Sequence, residues 1–463
     1  MAELTITETP IPGLLVLNLD VRGDNRGWFK ENWQRRKMVD LGLPDFGPVQ
    51  NNMAFNNAAG ATRGIHAEPW DKLVSLAAGR IFGAWVDLRP GDGFGRQFSL
   101  EFGPETAVFV PRGVGNAYQT LVDGTAYSYL VNDHWSEAAK NSYTFVNLAD
   151  ESLAISWPIP LDRTELSEAD RRHPRLADVV PMAPKPTLIL GGTGQLGRAL
   201  AEAVPDATVV GRAELDLSDP LAVAGFDFGR FETVINAAAY TKVDAAETAD
   251  GRREAWAVNV SAVAVLVAAA REHRCRLVHV SSDYVFDGTV EAHDEDEPFS
   301  PLGVYGQTKA AGDALVGMLD RHYLIRTSWV IGDGANFVRT MARLADDGVE
   351  PAVVNDQYGR LTFARELARG IGHLLEVDGP YGTYNLTNAG PPQTWADIAR
   401  EVFAARGREP RAVRDISTEE YGRGKLIAPR PRHSVLKLDK IISTGFEPAD
   451  ASADLKAYLA GGM

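Results

Sequence analysis

Two hydrophobic periods divide this chain. Through residues 1–157, short runs of β-branched and aromatic residues recur between turn signals: GLLVLNL, KLVSLAAG, RIFGAWVDLR, QFSLEF, AVFVP, AYSYLV and SLAISWP. Glycine and proline clusters, RPGDGFG at 89–95 and PRGVGN at 111–116, punctuate them. Many short strands at regular spacing predict an all-β sandwich or barrel. From Thr187 the pattern changes. TLIL, ATVVG, TVINAAA, RLVHVSS and YLIRTSW read as short apolar strands, and most are separated by Ala- and Leu-rich helical stretches such as AWAVNVSAVAVLVAAAREH. Strand alternating with helix predicts βαβ units and a parallel, doubly wound sheet. Between the halves, residues 158–186 are rich in proline and charge. The expected division is therefore a β domain over 1–180, a linker PMAPKP over 181–186, and an α/β domain over 187–463.

Composition narrows the class. Of the 463 residues, 45% are hydrophobic and 24% charged, and the net charge is -15. An acidic balance argues against a nucleic-acid surface, which needs clustered Lys and Arg. Cys275 is the single cysteine, which excludes an internal disulfide and fits a reducing compartment. The N-terminal stretch has no basic segment followed by an apolar run, and no apolar stretch reaches the roughly 18 residues of a membrane span. The expectation is a cytoplasmic protein with no membrane and no nucleic-acid partner.

The second half carries a nucleotide fingerprint. Gly191, Gly194 and Gly197 form G-x-x-G-x-x-G between an apolar strand and a helix. Glycines let the backbone approach a pyrophosphate, and the helix N-terminus offers free N–H groups. The next strand ends at Gly211-Arg212. An arginine there suits a 2′-phosphate, so NADPH is expected, with NADH as the alternative. Tyr305 and Lys309, at i and i+4, share a helix face, where an ammonium beside a phenol would lower its pKa. HVSSDYVFDG brings Ser281, Ser282 and Asp283 to the carboxyl edge of the sheet.

These motifs resemble the dTDP-4-dehydrorhamnose reductases of the extended short-chain dehydrogenase/reductase superfamily. Further matching segments are LDLSD, VINAAAYTKVDAAE, IRTSWV, NDQYGRLT, GTYNLTNAG and APRPRHSVL. The resemblance implies a Rossmann domain with a small C-terminal substrate lobe. It implies that Gly191, Gly194, Gln195, Leu196, Gly197, Arg212, Asp216, Leu217, Ala237, Ala238 and Ala239 hold the cofactor with Tyr305 and Lys309. Tyr305 would protonate the C4 oxygen, with Ser282 and Lys309 as its catalytic partners. Asp283, Tyr284, Trp329, Asp356 and Gln357 would face the sugar nucleotide. Ser282 stands where the family usually has Thr, and Leu361 replaces a usual Pro.

In the first half, TRGIHAEPWDKLV gathers Arg63, His66 and Lys72. No second histidine lies within ligand spacing of His66 in the sequence, so no metal is expected. The segment, with RGWFKE, VQNN, VDLRPGDGFG, VPRGV and LADESLAISWP, resembles the dTDP-4-dehydrorhamnose 3,5-epimerases, a cupin-like jelly-roll family. The resemblance implies His66 as a base oriented by Asp150, Lys72 holding an enolate oxygen, and Arg26, Glu31, Gln50, Asn52, Arg63 and Tyr129 on the substrate. Trp135 falls at the family's acid tyrosine, and Asn116 replaces a usual His. Together the halves imply a bifunctional enzyme acting on a dTDP-4-keto-6-deoxy sugar nucleotide, a homodimer through its first domain, with Mg²⁺ as an open addition. The alternatives are a reductase for another dTDP-deoxysugar with a binding-only first domain, or a non-catalytic regulatory subunit.

Overall fold

The structure, a computed structural model, describes residues 4–461. The chain separates into two compact units, Met1–Pro184 and Lys185–Met463. The expected linker begins too early. The backbone N–H of Met182 donates to Leu88 (2.8 Å), and Arg112 donates to the Ala183 carbonyl, so these residues belong to the first unit.

Among the described residues, the first unit holds thirteen strands: β1 (Thr5–Glu8), β2 (Leu15–Asn18), β3 (Val21–Asp24), β4 (Gly27–Lys30), β5 (Gln50–Asn56), β6 (Thr62–Ala67), β7 (Lys72–Ala78), β8 (Ile81–Asp87), β9 (Gln97–Phe102), β10 (Thr106–Val110), β11 (Val114–Thr120), β12 (Thr125–Val131) and β13 (Thr144–Phe145). They form antiparallel sheets of order β1-β2-β10-β7-β12-β5 and β13-β6-β11-β8-β9, with β3-β4 as a separate hairpin. Val74, Leu76, Val108 and Tyr127 of the first sheet share one core with Ile81, Trp85, Phe102 and Tyr118 of the second. The second sheet's other face, with Ile65, Ala84 and Val86, is covered by Val146, Leu148, Leu153, Val179 and Met182.

SLAISWP is not a strand. Glu151–Leu153 is a 3₁₀ turn capped by the Asp150 side chain, and Ala154 is left-handed with φ 51°. Leu153, Ile155 and Trp157 still pack into that outer cluster. Their period of two imitates a strand, but no neighbouring strand pairs with them.

In the second unit, β14 (Thr187–Leu190), β15 (Thr208–Val210), β16 (Thr233–Asn236), β17 (Arg276–Ser282), β18 (His322–Thr327) and β19 (Gly382–Asn385) pair in parallel in the order β15-β14-β16-β17-β18-β19. Alternation sends Leu188 and Leu190 to one face, against Ala262, Val263 and Leu266. Ile189, Ile235 and Val278 go to the other, against Leu196, Leu200, Leu367 and Ile371. Helices therefore cover both faces. A third cluster, with Val338, Met341, Ile398, Val402 and Phe403, builds a smaller lobe.

One helical run departs from the expectation on membrane spans. Ala249–His273 is long and apolar enough, by length and composition, to cross a membrane. Here it packs on the sheet through Ala262, Val263, Leu266 and Ala270. Buried Asn259, in a π-helical turn at its middle, accepts a hydrogen bond from the Tyr240 N–H (2.9 Å) and donates to the Thr308 hydroxyl (3.0 Å). A buried polar residue satisfied by two neighbouring elements fits a helix packed within the fold.

Candidate functional site

The second unit's cleft opens at the carboxyl ends of its strands and has a volume of about 830 Å³. At its floor, β14 runs into the helix Gln195–Ala203 through a tight turn. Gly191 has φ 83°, and a side chain there would meet the Ala238 backbone at 2.7 Å. A Cβ at Gly197 would lie 2.2 Å from the Gly191 carbonyl oxygen. Only glycine lets helix, turn and the Ala237–Ala239 loop come this close. The cleft is lined by Gly191, Gly194, Gln195, Leu196, Arg212, Asp216, Leu217 and Ala237 to Ala239. Gly197 lies beneath this surface. The free N–H groups of the helix N-terminus and the glycine cradle fit a dinucleotide pyrophosphate. Arg212 is exposed at the end of β15 and donates to the Asp216 carboxylate (3.2 Å), which holds its guanidinium on the cleft side.

Ser282, Asp283, Tyr284, Tyr305, Lys309 and Trp329 line the same cleft. Ser282 ends β17 and donates to Asp283 (2.7 Å). Tyr305 and Lys309 are on the helix Val304–Val316. The Tyr305 ring is edge-on to Tyr284 at 5.6 Å. Burial, then the Asp283 charge, push its phenol well above the ordinary value, with the Ser282 hydroxyl opposing. This corrects the expectation that Lys309 lowers it. The Lys309 ammonium is buried and donates to the Val280 carbonyl (2.8 Å), with His279 Nε2 at 3.4 Å. Burial pulls Lys309 down to about 8, against the Asp313 charge. A phenol that keeps its proton suits an acid.

Two site expectations need correcting. Asp356 and Gln357 do not line the cleft. Asp356 accepts from the Thr418 N–H and hydroxyl, and Gln357 donates to that hydroxyl (2.9 Å), so both fasten the helix Thr418–Gly422. Unforeseen from the sequence is Trp395, stacked on Trp329 at 3.8 Å and 20° in the cleft wall. Its signal was the capping box of Thr394 and Asp397 around it.

In the first unit, His66 on β6 is half-buried, and its Nε2 lies 2.9 Å from Asp170 Oδ1. Asp150 is not its partner. That carboxylate caps the Glu151–Leu153 turn, accepting from the Ser152 N–H (2.9 Å), the Ser152 hydroxyl and the Leu176 N–H (2.6 Å). Burial alone would raise Asp170, but hydrogen bonds from His173, His66 and Ser167 hold it well below the usual carboxylate range. His173 Nε2 lies 3.2 Å from the same Oδ1, so a second histidine does approach His66. The three polar atoms lie within 4.8 Å of one another. Two ring nitrogens converging on one carboxylate oxygen is the geometry of shared hydrogen bonds.

Lys72 is buried at the start of β7, 2.6 Å from Glu68 and 5.5 Å from the Tyr129 ring centroid. Burial lowers its ammonium, and Glu68 opposes that. Tyr129 pairs in register with Asn52, and burial followed by the Glu68 charge pushes its phenol up to about 12. Gln50 donates to Asn52 (2.8 Å) and accepts from the Trp135 N–H (3.0 Å). Burial raises the Tyr118 phenol, and the Arg63 charge beside it opposes that. Arg26 and Glu31 stand exposed on and after the β3-β4 hairpin, paired with Asp24 and Lys37. Asn116 donates to the Tyr127 hydroxyl (3.1 Å).

A family model described as the RmlD substrate binding domain matches residues 185–462, and one described as dTDP-4-dehydrorhamnose 3,5-epimerase matches residues 8–178. The chain belongs to both families. Its epimerase-family half is similar to a protein RmlC homolog of Streptococcus pyogenes serotype M6, 51% identical over 180 residues, covering 38% of this chain and 90% of that one. Its RmlD-family half is similar to a dTDP-4-keto-6-deoxy-D-glucose reductase of Streptomyces niveus, 38% identical and covering 56% of this chain and 91% of that one. It is also similar to the crystal structure of dTDP-4-dehydrorhamnose reductase from Bacillus anthracis in complex with NADP, at 31% identity and TM-score 0.55, covering 60% of this chain and 99% of that one.

Two outcomes follow from this geometry. For the RmlD-family half, Lys309 holds its charge below about 8 and loses it as pH rises through that value. The kcat/KM for reduction, which reports the free enzyme, should therefore fall roughly tenfold per unit above about pH 8, and Lys309→Met should remove that limb along with most activity. For the epimerase-family half, Asp170→Asn should slow base-catalysed hydrogen exchange on the order of 10²-fold or more. Asp150→Ala should leave exchange within about threefold and lower Tm, because a lost cap costs about 1 kcal/mol. Equal losses of exchange in both variants would reject the assignment of Asp170.

Proposed function

We propose that this chain is a bifunctional enzyme of dTDP-L-rhamnose formation, cytoplasmic in location. Its cupin-like jelly roll inverts C3 and C5 of dTDP-4-dehydro-6-deoxyglucose, and its Rossmann domain reduces the C4 ketone of the product. The observation that carries the reduction is the cleft where the Gly191 turn, Arg212, Ser282, Tyr305 and Lys309 meet. NADPH is the favoured cofactor. The NADP complex of the Bacillus anthracis relative supports this, as does the free side of Arg212 facing the cleft.

When bound, NADPH supplies hydride to C4. Tyr305 keeps its proton in the buried site and gives it to the developing C4 oxygen. Ser282 shares that oxygen through its hydroxyl. Lys309 would hold the nicotinamide ribose, and its ammonium charge within the cleft would help offset the phenolate left behind. Trp329, backed by Trp395, gives the sugar nucleotide a flat apolar wall.

In the first domain, the C4 carbonyl acidifies the hydrogens at C3 and C5. Asp170 fixes one ring nitrogen of His66, leaving the other to take the proton. Lys72 stabilises the enolate oxygen. Trp135 has no proton of suitable acidity to return. The opposite-face proton then comes from Tyr129, which stays protonated at neutral pH, or from water. Arg26, Glu31, Gln50, Asn52 and Arg63 are the candidate nucleotide and sugar contacts. Exposed Trp28, Phe29, Met53 and Phe55 on the hairpin and the edge strand β5 support a homodimer through this domain.

The Streptomyces niveus relative favours a second reading, reduction of the 4-keto sugar without prior inversion. Product stereochemistry separates the two. With dTDP-4-keto-6-deoxyglucose, NADPH and no added epimerase, the full chain should yield the L-rhamno configuration by NMR. A D-configured product would favour the second reading, and no NADPH oxidation with or without an added epimerase would reject both. Tyr305→Phe should lower kcat on the order of 10²–10⁴-fold with NADPH affinity little changed. Near-wild-type turnover would remove Tyr305 from the acid role.

A further inference from the structure

His173 has no part in the scheme above, yet it is built into the base. Its ring is largely buried and stacks on Phe145 at 4.6 Å and 14°. Phe145 pairs in register with His66, and its ring stands edge-on to the His66 imidazole at 5.2 Å. His173 is itself edge-on to His66 at 5.4 Å. The Nε2 atoms of both histidines reach the same oxygen of Asp170, at 2.9 Å for His66 and 3.2 Å for His173. Ser167 donates to the other oxygen (2.8 Å). The Asn147 carboxamide holds the segment by donating to the carbonyls of Arg171 and His173.

We propose that His173 is a positioning residue that tempers the basicity of His66 through the Asp170 oxygen they share. An N–H from His173 takes up part of that oxygen's acceptor strength. The carboxylate then stabilises the His66 imidazolium less, so His66 stays a neutral, proton-accepting base to lower pH. The remaining ionisable groups on the elements around the pair have partners elsewhere or lie outside the cluster. Arg63 is beside Tyr118, Glu68 is with Lys72, Asp87 is with Arg89, and Glu168 is with Arg172. Tyr143 is edge-on to Trp70. Arg171 follows Asp170 on the same helical turn.

The inference rests on the reading of His66 as the epimerase base, and the test separates the two. In the full chain, without NADPH, His173→Phe keeps a ring against Phe145 and removes the N–H. His173→Gln restores a donor. The pH profile of hydrogen exchange into dTDP-4-keto-6-deoxyglucose in deuterated water is the first readout, and the NMR titration of the His66 ring is the second. Losing one hydrogen bond should move the acid limb and the titration upward by roughly half to one pH unit in His173→Phe. His173→Gln should return both toward wild type, with the exchange rate on the high-pH plateau within about threefold in each.

Absence of exchange in wild type above a His66→Ala control would reject the epimerase reading, while the titration still decides the coupling. An unshifted titration in His173→Phe, or a lowered plateau with no shift, would overturn the proposal. So would exchange that is lost on chelation and restored by a divalent cation.

Discussion

Removal of water from ionisable side chains is the constraint on which both sites depend. Lys309 and Asp283 are buried and Tyr305 half-buried at the carboxyl end of one sheet, and Lys72 and Asp170 are buried in the other unit. A charge in such a place is stabilised only by partners the fold supplies. The partners therefore decide each protonation state. Tyr305 has Asp283 as its strongest charged neighbour and keeps its proton. Asp170 has three hydrogen-bond donors and loses its own. Lys309 has Asp313 nearby but not in contact strong enough to offset burial, and it falls to about 8. Acid, base and electrostatic helper thus come from one physical effect balanced differently in each pocket.

That balance explains how far the sequence could be read. Short apolar runs such as TLIL located the strands of the parallel sheet, because strands buried on both faces carry apolar residues at successive positions. The glycine spacing located the turn, because a Cβ at Gly191 or Gly197 would strike backbone. Where the reading failed, the cause was long-range choice. Asp150 and Asp170 both follow the strands of the first unit, and only folding tells which returns to His66. The bond that forms joins residues 104 positions apart. His173 escaped for the same reason, since ligand spacing along the chain says little about a tail that wraps back over a sheet.

Side-chain direction was the other hidden variable. The i, i+4 spacing put Tyr305 and Lys309 on one helix face, and both line the cleft. Yet the ammonium turns to the Val280 carbonyl and His279 rather than to the phenol. A helix periodicity fixes where Cβ points and not how a four-carbon stem is spent. Likewise Asp356 and Gln357 sit in a motif-like segment, but each is engaged by Thr418.

Joining the two reactions in one chain has a chemical logic that needs no particular arrangement of the units. Under the function proposed above, both steps depend on the same C4 carbonyl. As a ketone it acidifies the hydrogens at C3 and C5, so inversion there is reversible for as long as the ketone persists. Reduction removes the carbonyl, and with it the acidity of those hydrogens. The stereocentres are then locked in whichever configuration the reductase accepted. Selectivity for the product therefore belongs to the cleft bounded by Trp329, Trp395 and Tyr305, while the first unit need only supply inverted ketone, at a rate that then sets the overall flux. This relaxes the demand on the first site. A pocket with an intact His66–Asp170 base but a tryptophan at position 135 is tolerable when reduction continually draws the equilibrium forward, because a slow return of the proton limits rate and leaves the final configuration unchanged.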